Sequence, residues 1–88
     1  MKLTSRSCII DVGANEGDFA IEVAKKNANV TVIAFEPIPQ LRALIESRAR
    51  SEGLTNLIIR QEAILDTPGN LVLNVANHAD MGVSSLLN

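Results

Sequence analysis

The stretch Cys8-Ile9-Ile10-Asp11-Val12-Gly13-Ala14-Asn15-Glu16-Gly17-Asp18 decides how this chain folds. Apolar residues run into an acid, two glycines follow four positions apart, and an amphipathic helical pattern begins at the second glycine. A short apolar run bounded by Gly reads as a buried strand ending in a tight loop. In open α/β sheets, ligands bind beyond the carboxyl ends of such strands. This loop carries Asp11, Glu16 and Asp18 and neither Lys nor Arg, so its charge narrows the ligands it can hold.

Outward from the loop, residues 17–26 predict a helix. Phe19, Ala20, Val23 and Ala24 share one face, and Glu22 and Lys26 form an exposed i,i+4 pair. Asn15 is the expected N-cap, with Asp18 placed where a carboxylate favours the helix start. Residues 30–35 are β-branched and apolar and predict a second strand ending at Glu36. Pro37-Ile38-Pro39 stops that strand, and Pro39 suits the first position of a helix over 39–51. In this helix Leu41, Leu44, Ile45, Arg48 and Ala49 fall on one stripe, while Arg42, Glu46 and Arg50 form a solvated row. Gly53 is the expected residue just past its end.

A third strand over 56–60 runs towards Gln61-Glu62-Ala63, and a turn cluster at 66–70 precedes a short fourth strand over 71–75. The order β-α-β-α-β, with connections long enough for parallel crossovers, predicts an α/β fold: half of a Rossmann-like, mostly parallel sheet. Two helices do not supply a second half. The chain therefore reads as one partial domain over 1–88, a fragment or a truncated reading frame.

Composition excludes several classes. With 88 residues, 47% hydrophobic content, 20% charged and a net charge of −2, the chain reads as an ordinary globular domain. The mild acidity gives no case for nucleic acid or an anionic membrane, and two Phe without Tyr or Trp leave no platform for stacking bases. The single Cys8 offers neither a disulfide framework nor a zinc cluster and reads as a buried, inert thiol. Thr4-Ser5-Arg6-Ser7 interrupts any signal-like apolar region, and no run reaches membrane-spanning length, so the expected location is cytoplasmic.

Three ligands compete for the loop. The dinucleotide fingerprint needs Gly where this chain has Asn15 and Asp18, and a phosphate-binding Gly-Lys pair is missing after Gly17. Three acids also raise the cost of placing a pyrophosphate there. A phosphate-free ligand with a cationic centre fits better. S-adenosylmethionine has an ammonium that Asp11 could face, and Gly13 and Gly17 would let backbone approach it closely. Glu36, ending the second strand, could accept two hydrogen bonds from a ribose diol, and Glu62, ending the third, could border the adenine.

The segments Asp11-Val12-Gly13-Ala14-Asn15-Glu16-Gly17, Ala34-Phe35-Glu36-Pro37, Glu62-Ala63 and Gly82-Val83-Ser84-Ser85-Leu86 together resemble the FkbM-type methyltransferases. The resemblance implies an S-adenosylmethionine-dependent fold and O-methylation of a sugar, lipid or natural-product hydroxyl. It implies that Asp11, Gly13, Asn15 and Gly17 line the methionine end of the cofactor, that Glu36 holds the ribose, and that Glu62 lies at the adenine edge. The chain departs from the family in having almost no extension before the first strand. It also stops before the acidic motif that members carry near the acceptor.

His78 and Asp80 lie in a polar loop with no evident orienting partner, and Ser84 and Ser85 lack a nucleophile-elbow context. One His and scattered acids give no metal-ligand set. Two rival readings stand beside the methyltransferase. One is a non-catalytic nucleoside-binding module or assembly partner, which a second copy could complete as a homo-oligomer. The other is a nicotinamide-dependent oxidoreductase, which Asn15 and Asp18 disfavour.

Overall fold

The apolar run at the start folds as β1 (Ser7–Val12), buried at all six positions. It leads through the glycine loop to α1 (Asp18–Lys26), then β2 (Thr31–Phe35), α2 (Pro39–Ser51), β3 (Leu57–Arg60) and β4 (Gly69–Asn74). A computed structural model describes residues 7–63 and 68–74. The expectations for Val75, His78, Asp80, Ser84, Ser85 and the 82–86 segment lie outside the described residues.

The strands form one sheet in the order β3-β2-β1-β4. β1 pairs parallel with β2, Ile10 opposite Ile33, and β2 pairs parallel with β3, Ile33 opposite Ile58. β4 runs antiparallel on the other side of β1, with Asp11 opposite Asn70 and Val12 opposite Gly69. The sheet is thus mostly parallel, as the sequence predicts. The fourth strand starts two residues earlier than expected, at Gly69.

Because the chain steps from β1 to β2 to β3 in one direction, both crossover helices fall on the same face of the sheet. Ile9, Val32 and Ala34 of the sheet, Ala20, Ile21 and Ala24 of α1, and Ile45 and Ala49 of α2 form one buried cluster there. Cys8, Ile10, Val12, Ile33 and Phe35 form a second cluster on the opposite face. Alternation along each strand divides the two sets. Burial raises the thiol pKa of Cys8, in keeping with an inert side chain.

The helix ends follow local chemistry. Ile38 is extended (φ −82°, ψ 117°) because a proline follows it, and Pro39 opens α2. At the far end, the Gly53 N–H donates to the Arg50 carbonyl at 3.1 Å and the Leu54 N–H to the Ala49 carbonyl at 2.9 Å. This is a Schellman motif with Gly53 at φ +66°. The Asn56 amide then ties the α1–β2 turn to β3 by donating to the carbonyls of Ala24, Asn27 and Val30 at 3.0, 3.0 and 2.8 Å.

Two side chains on the expected apolar faces of the helices are not buried. Phe19 and Leu44 are each 41% exposed, while Ile21 is buried. Helix α1 turns Ala20, Ile21 and Ala24 to the sheet. Among the described residues no helix is long and apolar enough to cross a membrane.

Candidate functional site

Strand order reverses at β1, with β2 on one side and β4 on the other, and a cleft opens at its carboxyl end. This is the switch point at which open α/β sheets bind ligands. The Gly13 and Ala14 N–H groups both donate to the Phe35 carbonyl, at 2.8 and 3.1 Å, which locks the loop to the end of β2. The Gly17 N–H then closes a turn onto the Ala14 carbonyl at 2.9 Å, with Asn15 at φ +55° and Gly17 at φ +86°.

That turn delays the helix. The Ile21 N–H donates to the Gly17 carbonyl at 2.8 Å, so Gly17 rather than Asn15 is the N-cap, and no side chain caps the helix. Asn15 instead contributes its backbone, donating its N–H to Glu36 Oε1 at 2.7 Å. Glu36 Oε2 accepts the Ile38 N–H at 3.1 Å. Glu36 is 2% exposed, so its carboxylate is a buried junction between the glycine loop and the start of α2.

Asp11 lies beside it. It is 5% exposed, and among the described residues its Oδ2 is buried with no hydrogen-bond partner. Burial, and secondarily the Glu36 carboxylate, push the Asp11 pKa above the usual carboxylate range. A buried acceptor left open is uncommon enough to call for a ligand or a functional explanation.

A crevice of about 650 Å³ opens over Asp11, bordered by Gly13 and Asn15 of the loop, Phe19 of α1, Leu41 of α2 and Asn70 of β4. Glu16 and Asp18 also line it, and among the described residues no Lys or Arg does. Gly17 is not among its lining residues: it is buried behind the loop, where an added Cβ would come within 2.9 Å of Ile45 Cγ1. Gly13 does line the crevice, and Pro68 packs onto it so closely that a Cβ there would lie 2.9 Å from Pro68 Cβ.

Glu62 borders a neighbouring cavity of about 330 Å³ that shares Val12, Gly13 and Pro68 with the main crevice. Its carboxylate accepts from Arg60 Nε and Nη2 at 3.3 and 3.1 Å, and that pairing lowers its pKa. Asp11 and Glu36 lie side by side, but only Asp11 lines the main crevice and Glu36 lines neither cavity, while Glu62 stands across the Gly13–Pro68 contact. The described residues contain no group of His, Cys, Asp and Glu fit to hold a metal.

Sequence reasoning missed what α2 contributes. Arg42, expected in a solvated row, donates through Nη1 to the carbonyls of Glu36 and Pro37 at 3.0 and 2.7 Å. Arg48 Nη1 donates to the Glu16 carbonyl and to Asp18 Oδ1, both at 2.7 Å. The available signal was an arginine within the apolar stripe of Leu41, Leu44, Ile45 and Ala49.

Among solved structures, the chain is similar to coclaurine N-methyltransferase bound to N-methylheliamine and S-adenosylhomocysteine (SAH), with a TM-score of 0.66 and 24% identity. The match covers 70% of this chain and 18% of that one, so this chain spans less than a fifth of that enzyme's length. The likeness shows a methyltransferase-type Rossmann-like fold. A comparison with curated proteins returns no match. A family model described as "putative methyltransferase" matches residues 5–76, most of the chain, and the chain belongs to that family.

Proposed function

We propose that this chain is the S-adenosylmethionine-binding part of a methyltransferase, acting on a hydroxyl of a sugar, lipid or natural product in the manner of the FkbM-type enzymes. The observation that carries the cofactor reading is the open, buried Oδ2 of Asp11 beneath a crevice that, among the described residues, is lined by acids and by no Lys or Arg. An ammonium donor would satisfy that oxygen and offset the charge around it. The likeness to an SAH-bound enzyme supports the same reading. The acceptor class rests on the resemblance carried by the Asp11–Gly17 and Ala34–Pro37 segments.

In this reading Asp11 would hold the amino-acid end of the cofactor, with Gly13 and Asn15 presenting backbone beside it. Glu36 would face the ribose while continuing to accept the Asn15 and Ile38 N–H groups, since a carboxylate has about four acceptor positions. Glu62 would lie towards the adenine, in the adjoining cavity. Gly17 would act through packing rather than contact. When bound, S-adenosylmethionine supplies an electrophilic methyl group. The residues of this chain hold it, fix its orientation and withdraw it from water, which is where most of the barrier reduction for an in-line transfer arises.

Calorimetric titration of the 88-residue chain with S-adenosylmethionine and with NAD, side by side, tests the reading. Saturable S-adenosylmethionine binding without NAD binding is expected. The reverse pattern would make the crevice a dinucleotide site.

A further inference from the structure

Helix α2 lines the crevice through Leu41 and holds the backbone beside it through two arginines. Its Arg42 holds the carbonyls of Glu36 and Pro37, and its Arg48 holds the carbonyl of Glu16. Between these points lies the Asn15 N–H to Glu36 hydrogen bond that joins the glycine loop to the end of β2. The two arginines are six residues apart, about 9 Å along a helix, and each holds the backbone next to one partner of that bond: Arg42 at Glu36, Arg48 at the residue after Asn15. Ile45, between them, is wholly buried and packs where Gly17 lacks a Cβ. Neither arginine lines the crevice.

We infer that Arg42 and Arg48 are positioning residues, through which α2 sets the spacing of the two loops that receive the cofactor; this rests on the cofactor reading above. A backbone carbonyl held by a guanidinium is fixed in place and direction, and the ligand-facing backbone of Asn15 follows Glu16. The Arg48–Asp18 ion pair adds little to global stability, because Asp18 is 84% exposed. Loss of Arg48 is therefore felt in the loop before it is felt in the fold.

Charge makes the inference separable from simple electrostatics. Removing Arg48 leaves the surroundings of the crevice more negative, which by itself would tighten a cationic ligand and leave a neutral one alone. A positioning role weakens both. The test is to titrate Arg48→Ala and Arg42→Ala with S-adenosylmethionine, which carries a sulfonium, and with SAH, which does not. Both ligands are expected to weaken by the same factor, about 3- to 30-fold, the range that packed networks commonly transmit.

Amide hydrogen exchange at residues 15–19 should quicken in Arg48→Ala while β1 and β2 keep their protection. Arg48→Lys, which restores a cation near the Glu16 carbonyl, should recover most of both effects, and it serves as the second variant should alanine unfold the chain. Unchanged or tighter S-adenosylmethionine binding, or unchanged exchange in the loop, overturns the inference. If the wild-type chain binds neither ligand but exchange still quickens in Arg48→Ala, positioning stands and the cofactor reading falls.

Discussion

Gly17 and Gly53 are both left-handed glycines at helix ends, at φ +86° and +66°, yet they do different work. An added Cβ at Gly53 would meet nothing within 4 Å, whereas one at Gly17 would press on Ile45 of α2 at 2.9 Å. Gly53 ends α2 by a Schellman motif and is surrounded by surface. Gly17 closes a loop with two more left-handed residues, Gly13 and Asn15, and beside that loop lie the buried carboxylates Asp11 and Glu36. A left-handed glycine alone marks a cap. Crowding around it, next to buried acids, marks a site.

Substitution separates the two glycines by the largest effect. Gly17→Ala combines left-handed strain with overpacking against Ile45, so it should cost about 2–4 kcal/mol by urea denaturation. Gly53→Ala carries only the backbone penalty, about 1 kcal/mol. Equal losses at the two positions would show that the packing of α2 against the loop is unimportant.

The Asn15–Glu36 junction comes next. Glu36→Ala leaves the part-buried Asn15 and Ile38 N–H groups without their acceptor and empties a buried position, so stability should fall by about 1–3 kcal/mol. Loss of ligand affinity should accompany it, and Glu36→Gln should recover part of each because its amide oxygen still accepts. An unchanged denaturation midpoint in Glu36→Ala would deny the junction.

The smallest effect sharpens the electrostatic half of the comparison. The folded Asp11 carboxyl has a pKa raised above its ordinary 3.8, so the folded chain holds this proton to higher pH than the unfolded chain does. Its contribution to stability is therefore most favourable below 3.8 and declines as pH rises from there through the folded value. Asp11→Asn should remove that decline and leave the chain at least as stable at neutral pH. Denaturation midpoints across the acid range check this, and a variant that loses stability only at neutral pH would contradict it.

Much of this was legible in the residues, for physical reasons. The β1 run, the Pro39 start of α2 and the Gly53 stop are local signals that tertiary context did not override. The meeting of Asp11 and Glu36 followed from their places at the ends of adjacent parallel strands. The N-cap was misread because the turn from Ala14 to Gly17 consumes the residues that Asn15 would otherwise have capped. Arg42 escaped because its partners are backbone carbonyls, which leave no mark in a pattern of side chains, and Arg48 because its only mark was a charge within an apolar stripe. The antiparallel course of β4 was equally hidden, since hydrophobic alternation carries no direction.

The role proposed for Asp11 is to meet a cationic ligand group with a buried, unsatisfied oxygen in an acidic crevice. Its most direct test is calorimetric titration of SAH into the wild-type chain and into Asp11→Asn. Affinity is expected to drop by roughly tenfold or more, as for a lost charge-assisted hydrogen bond, while the denaturation midpoint holds or rises. Equal affinity in the two proteins would contradict it.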